Sequence, residues 1–435
     1  MGEAVMRRNW LRFAAAVLCL AVLMAAVPSG SAEAARKKSR KLRDTADRSS
    51  FTGTAVAADL PDLEIMSSSE TEELGEVMAS YVPAERQVLV NEAPEFYYYE
   101  QLDPLAKQIC DVMLGIANDP VMENIGLLMT DIDPRTDRFS QAFCDAFFAL
   151  GFDHPELYWL YYGAQDYYFN YASDVVVKNG IYVVYFQLNR PYEDFRTDTA
   201  LFNRAAAKFL KDIDTDASEY EIARQIHDKL IGMVAYNHEV EQARDGKNLA
   251  HTAFGALVED SDGSPNLPVC DGYSLAYEYL LQQCGIEAVY IGGYGGSSRS
   301  NAGGHAWNMV KLDGEWYEVD STWDDNYGDY AEMSDPESDP YYDLVLEALS
   351  DEDFREKIEH YLFLVSTETM TEYIPNEEDF VYYYRDRSSL GGFRGRCVHF
   401  RDTNENDEFD YPGGGYAIAS LMDRAPVAEE DYGEK

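Results

Sequence analysis

The segment HAWNMVKLDGEWYEVD, His305 to Asp320, constrains the fold more than any other stretch of the chain. Two alternating apolar and polar runs flank Asp313-Gly314, a dipeptide that marks a two-residue hairpin turn. The turn fixes the register of the pair. Leu312 faces Glu315, and counting outward sets Trp307 opposite Asp320. His305 lies two residues from Trp307 and therefore points to the same face. His305 and Asp320 are then diagonal cross-strand neighbours, about 7 Å apart along the backbone. A carboxylate so placed accepts a hydrogen bond from the imidazole, fixes its tautomer and leaves the other ring nitrogen for a third group.

The stretch PVCDGYSLAYEYLLQQCG supplies a candidate third group. Its two cysteines stand at the two ends of one helix. An irregular run with Pro265 and Pro268 precedes it, Asp271 to Gln283 carry the helical pattern, and Gly285 closes it as a left-handed cap. Ala276, Leu280 and Cys284 share a stripe, so Cys284 points into the core. Cys270 sits instead at the helix start, among unpaired N–H groups and the positive end of the dipole. That position is expected to lower the thiol pKa, and the Cys270 backbone N–H is available to an oxyanion. Each residue alone reads as structural. Together they fit a site with Cys270 as nucleophile, His305 as base and Asp320 as orienter, with Trp307 as a shield from water.

The rest of the chain is organised around this region. Arg7, Arg8 and Arg12, the apolar run Phe13 to Val27 and Ala32-Glu33-Ala34 read as a secretory signal over residues 1–34. The run is short for a membrane span, so a membrane association is expected only if the signal stays uncleaved. Residues 35–94, basic and then rich in Ser, Thr, Asp and Glu, read as a flexible stalk. Residues 95–215 read as a mixed α+β domain. It opens with a helix after Asp103-Pro104 striped by Leu105, Ile109, Met113 and Ile116. A helix closed by Gly151 and Asp153 follows, then a hairpin turning at Asn179-Gly180. Residues 216–375 hold the three candidate site residues, and 376–435 form an acidic extension. His227 and His238 read as surface or capping histidines. The glycine-rich GGYGGSSRSNAGG, ending at Gly304, lacks the ending of a phosphate cradle and reads as a mobile loop beside the cleft.

Composition excludes several functions. The net charge is −44 although the first 43 residues are basic, so the body has no cationic footprint for a nucleic-acid partner. Removal of the signal leaves five cysteines, an odd number, so at least one thiol is unpaired. No cysteine or histidine spacing matches a zinc site, and no cofactor is expected. The acidic run 402–410 alternates potential oxygen ligands, but Asp407 stands where a calcium loop needs Gly and Gly413 where it needs Glu. A solvated acidic turn is the expectation there.

Residues 249–325 resemble the transglutaminase-like superfamily in its bacterial exported form. The matching pieces are AFGALVEDSDGSPNLPVCDGYSLAYEYLLQQCGIEAVYIGG and GGHAWNMVKLDGEWYEVDSTWDD. ARQIHDKLIGMVAYN is similar to the helix before the family core, HYLFLVSTETM to the strand after it, and DHPELYWL to a segment often found upstream. The resemblance runs from about residue 95 to 375. It implies an α+β, papain-like core: a nucleophile helix packed on an antiparallel sheet, behind a mixed α+β N-terminal domain. It also implies the nucleophile, base and orienter roles for Cys270, His305 and Asp320. The chain departs from the family in a longer run before Cys270, an acidic insertion over 326–359, and no residue matching a second oxyanion donor. The expected function is exported, thiol-dependent acyl transfer on protein or peptide carboxamides, cell-wall peptides included. Cross-linking, deamidation and peptide hydrolysis are all open. The alternative is a non-catalytic cell-surface binding module that retains the fold.

Overall fold

The computed structural model describes residues 96–433 except 119, 121–125, 161–168, 173–180, 190–191, 238–248, 259–265, 297–298, 326–349, 351, 353–355, 357–358, 372–397 and 402–420. The signal, the stalk, Asn179-Gly180, His238, most of the acidic insertion, Cys397 and the acidic run 402–410 lie outside the described residues.

In chain order the front half comprises α1 (Tyr97–Gln101), α2 (Pro104–Ala117), β1 (Gly126–Thr130), α3 (Asp137–Asp153), β2 (Phe169–Tyr171), β3 (Tyr182–Leu188) and α4 (Phe195–Leu210). The start of α2 follows from its sequence. The Asp103 side chain accepts from the N–H groups of Leu105 and Ala106, Pro104 fills the first turn, and the predicted stripe is buried. Helix α3 ends at Asp153 as expected, with Gly151 inside its last turn. The Asp153 carboxylate accepts from the N–H groups of Tyr98 and Tyr99, binding the end of α3 to the start of α1. The three strands form an antiparallel sheet in the order β1-β3-β2.

The second half comprises α5 (Glu219–Ile231), α6 (Ala253–Leu257), α7 (Cys270–Gln283), β4 (Ala288–Gly296), β5 (Ala302–Leu312), β6 (Glu315–Val319), α8 (Ser321–Asp324), β7 (Phe363–Val365), α9 (Thr367–Thr371) and β8 (Val398–Arg401). The strands make one antiparallel sheet in the order β7-β6-β5-β4-β8. The β5–β6 hairpin has the predicted register, from Leu312↔Glu315 to Asn308↔Val319. Asp313 and Gly314 both take positive φ, 52° and 89°, as a type I′ turn requires. Gly285 caps α7 with φ of 80°.

Helix α7 is buried on all sides and packs on β5, where Asn308 Nδ2 donates to the Ser274 carbonyl. A helix laid on an antiparallel sheet is the predicted papain-like core. The same apolar cluster continues into the front half, where the Tyr98 hydroxyl donates to the Tyr290 carbonyl on β4 and Phe152 stacks on the Tyr290 ring. Among the described residues no helix is long and apolar enough to cross a membrane.

The glycine-rich stretch is not a mobile loop in its first half: Gly292 to Gly296 are the end of β4, paired on one side with β5 and on the other with β8. A Cβ on Gly293 would lie 2.5 Å from the Phe400 carbonyl and 2.7 Å from the Trp307 ring. One on Gly295 would lie 2.9 Å from the rings of both His305 and Trp323. The glycines let a neighbouring strand and three aromatic rings come close, a tertiary demand that a local reading takes for flexibility.

Candidate active site

Three elements carry the predicted residues. Cys270 is the first residue of α7, His305 lies on β5, and Asp320 follows β6 as the cap of α8. His305 Nε2 lies 2.7 Å from Asp320 Oδ2, the pairing that the hairpin register implies. The other carboxylate oxygen accepts from the backbone N–H groups of Thr322 and Trp323 at 3.1 Å each. Asp320 is fully buried. Burial opposes its charge, but the two imidazoles that face it outweigh that cost and hold its pKa well below the usual carboxylate range. It stays ionised, which is what an orienter of an imidazole needs.

Cys270 lies against the strand that carries His305. The backbone N–H groups of Ala306 and Asp271 reach its sulfur. The predicted low thiol pKa is not what this environment gives. Burial pushes the Cys270 thiol well above its ordinary value and the neighbouring Asp271 carboxylate pushes the same way, while the two N–H groups only partly oppose them. A helix start favours a thiolate when solvent also reaches it; here desolvation wins. Cys284 is buried as predicted, and its thiol is pushed up to about 11. None of the four described cysteines forms a disulfide.

Rings enclose the imidazole. Trp323 stacks on His305 with centroids 4.8 Å apart, and Trp307, almost wholly buried, lies 6.1 Å away. Trp307 is held by its Nε1–H, which donates to Glu318 Oε2 at 2.5 Å.

Several polar residues around the site escape a sequence reading. His399 on β8 places Nε2 2.8 Å from Asp320 Oδ2, the oxygen that His305 also contacts. Arg401 on the same strand pairs with Glu318 at 2.8 Å. At the start of α7 the Asp271 carboxylate meets His251 Nδ1 at 2.8 Å and the Tyr290 hydroxyl at 2.7 Å. The alternation Val-His-Phe-Arg over 398–401 would have flagged a strand with one polar face, but nothing local says which strand it joins.

His227 is not a surface histidine. It is fully buried, with Nδ1 3.1 Å from Asp228 and Nε2 3.3 Å from Asp324. Burial alone would lower its pKa, but these two carboxylates outweigh it and push it up to about 9. His360 completes the group, its Nε2 2.8 Å from Asp228 Oδ1. Among the described residues, two sets bring three ligand atoms within 4.8 Å of one another: His227, Asp228 and His360, and His305, Asp320 and His399. In each set one carboxylate oxygen sits between two imidazoles, an arrangement that ring N–H donation alone accounts for.

Residues 207–321 match the family model of the transglutaminase-like superfamily. This segment is a transglutaminase-like domain. It contains α5, Cys270, His305 and Asp320, and it stops before β7 and β8. The kyphoscoliosis peptidases of Mus musculus and Homo sapiens are 41% and 39% identical to the chain over 61 residues. Those matches cover 12% of the chain and 9% of each peptidase. A solved structure titled as the crystal structure of a TGase is 14% identical, with a TM-score of 0.23 over 37% of this chain and 44% of that one.

Proposed function

We propose that the transglutaminase-like domain is a cysteine acyl-transfer enzyme acting on protein or peptide carboxamides, with Cys270 as nucleophile, His305 as acid and base, and Asp320 as orienter. The observation that carries this reading is the 2.7 Å contact between His305 Nε2 and the buried, ionised Asp320. It commits Nε2–H to the carboxylate and leaves Nδ1 as the proton acceptor. Because burial favours the neutral thiol, proton transfer to His305 accompanies attack rather than preceding it.

The Cys270 sulfur bonds to the carboxamide carbon as its proton moves to His305 Nδ1. The tetrahedral oxyanion then collapses, the C–N bond breaks, and His305 returns the proton to the departing nitrogen. A thioester remains. An amine or water attacks it, His305 takes the proton of that second nucleophile, and the thiol is restored. The family match supports both outcomes, and the peptidase name of the partial relatives adds weight to water. The signal-like sequence of residues 1–34 supports an exported enzyme, with secreted protein or cell-surface peptide as its substrate.

The test is alkylation by iodoacetamide, followed for each cysteine by mass spectrometry. Cys270 is expected to react fastest and to lose that advantage in a His305→Ala variant. Equal, slow labelling of every cysteine would instead make the domain a binding module. A casein-like protein supplied with a fluorescent amine then separates the outcomes: incorporated label means transfer, fragments mean proteolysis, and ammonia alone means deamidation.

A further inference from the structure

We propose that His399 is a positioning residue of the triad, sharing the Asp320 carboxylate with His305 and thereby setting how firmly His305 holds its proton. The inference rests on the triad reading above and concerns a residue outside the segment that matches the family model.

The geometry is specific. His305 Nε2 and His399 Nε2 approach the same oxygen, Asp320 Oδ2, at 2.7 and 2.8 Å. The other oxygen is already taken by two backbone N–H groups of α8. Both imidazoles therefore draw on one atom's electron density, and each bond weakens the other's claim on it. His399 is 1% exposed, and its Nδ1 lies 3.1 Å from the Met370 carbonyl on α9. A neutral ring has one N–H to donate, and the carboxylate is the stronger of the two acceptors.

Rings lock the orientation. His399 lies 4.2 Å from Trp323, 5.1 Å from Trp307 and 5.3 Å from His305, centroid to centroid. Burial and the nearby His305 both disfavour a proton on His399, and the charged groups that face it are Asp320, His305, Glu318 and, from its own strand, Arg401. A donor with no charge of its own moderates Asp320. Without that donor, the undivided carboxylate stabilises the His305 imidazolium more strongly, so the ring already carries a proton near neutrality and cannot take the one from the thiol.

The experiment is the pH dependence of Cys270 alkylation in the full chain, for wild type, His399→Met and His399→Gln. The acid limb of that profile reports proton uptake by His305. In His399→Met, which keeps bulk and removes the donor, the limb is expected to rise by about one pH unit, close to a tenfold loss of rate well below it. In His399→Gln an amide N–H again reaches Asp320, and the limb is expected to return most of the way. Should His399→Met fail to fold, His399→Phe provides the same donor-free comparison. A residue that merely anchors β8 would lower the melting temperature in these variants without moving the limb. That result overturns the inference and leaves the triad standing. A wild-type profile that His305→Ala does not alter overturns both.

Discussion

At the scale of single residues, the site depends on which atom of His305 carries the proton. Asp320 has no spare acceptor capacity: one oxygen takes two backbone N–H groups and the other two imidazoles. In Asp320→Asn, an amide of the same shape presents an N–H where His305 Nε2–H now donates. The ring must switch tautomer to relieve that clash, which turns Nδ1 into a donor toward the thiol. The alkylation rate of Cys270 is expected to fall by on the order of 10²-fold or more, with little change in the melting temperature. Gly295 gives the complementary prediction. A Cβ there would press on the His305 and Trp323 rings at 2.9 Å, so Gly295→Ala displaces the imidazole from within the sheet. Cys270 alkylation is expected to lose its dependence on His305 in that variant; an unaltered rate would show that the rings have room to yield.

At the scale of elements, the β5–β6 hairpin and helix α7 account for most of what the sequence reveals. The type I′ turn needs positive φ at both central residues, and Asp313-Gly314 meets that need locally. Gly314→Val is expected to destabilise the domain by about 1–2 kcal/mol, read as a lower urea midpoint, because φ of 89° strains a β-branched residue. From this one turn the register, and with it the His305–Asp320 contact, could be counted out. Helix α7 was legible for the same reason, since its left-handed Gly285 cap is a local signal. What was illegible depends on distant partners. The glycines of β4 look like a loop until Trp307, His305 and β8 are seen against them. The alternation of β8 hints at a strand, but its neighbour in the sheet lies about a hundred positions upstream and nothing local names it. The thiol pKa is illegible on the same account: the helix dipole follows from position, whereas burial comes from everything packed around it.

At the scale of the molecule, segments far apart in the chain close the core. The C-terminal residues thread between β7 and α1: Tyr432 N–H donates to the Leu364 carbonyl, Ser366 N–H to Asp431, and Tyr97 hydroxyl to the Arg424 carbonyl. A second closure is electrostatic. His227 on α5 contacts Asp324, four residues beyond Asp320, while Asp228 holds His360 just before β7. This group ties a helix that precedes the site to the chain that follows it. Its pH dependence has a defined sign. The folded pKa of His227, about 9, lies above the 6.5 of an ordinary histidine, so the folded state holds the proton more tightly. The extra stability is fully present below about pH 6.5 and is lost as pH rises through about 9. A shift of that size corresponds to roughly 3 kcal/mol at most. The melting temperature is therefore expected to fall between those pH values, and His227→Gln is expected to flatten the fall while lowering stability at pH 6. A wild-type melting temperature that stays level from pH 6.5 to 9 would mean that His227 is neutral in the fold, and that the link between α5 and Asp324 is packing alone.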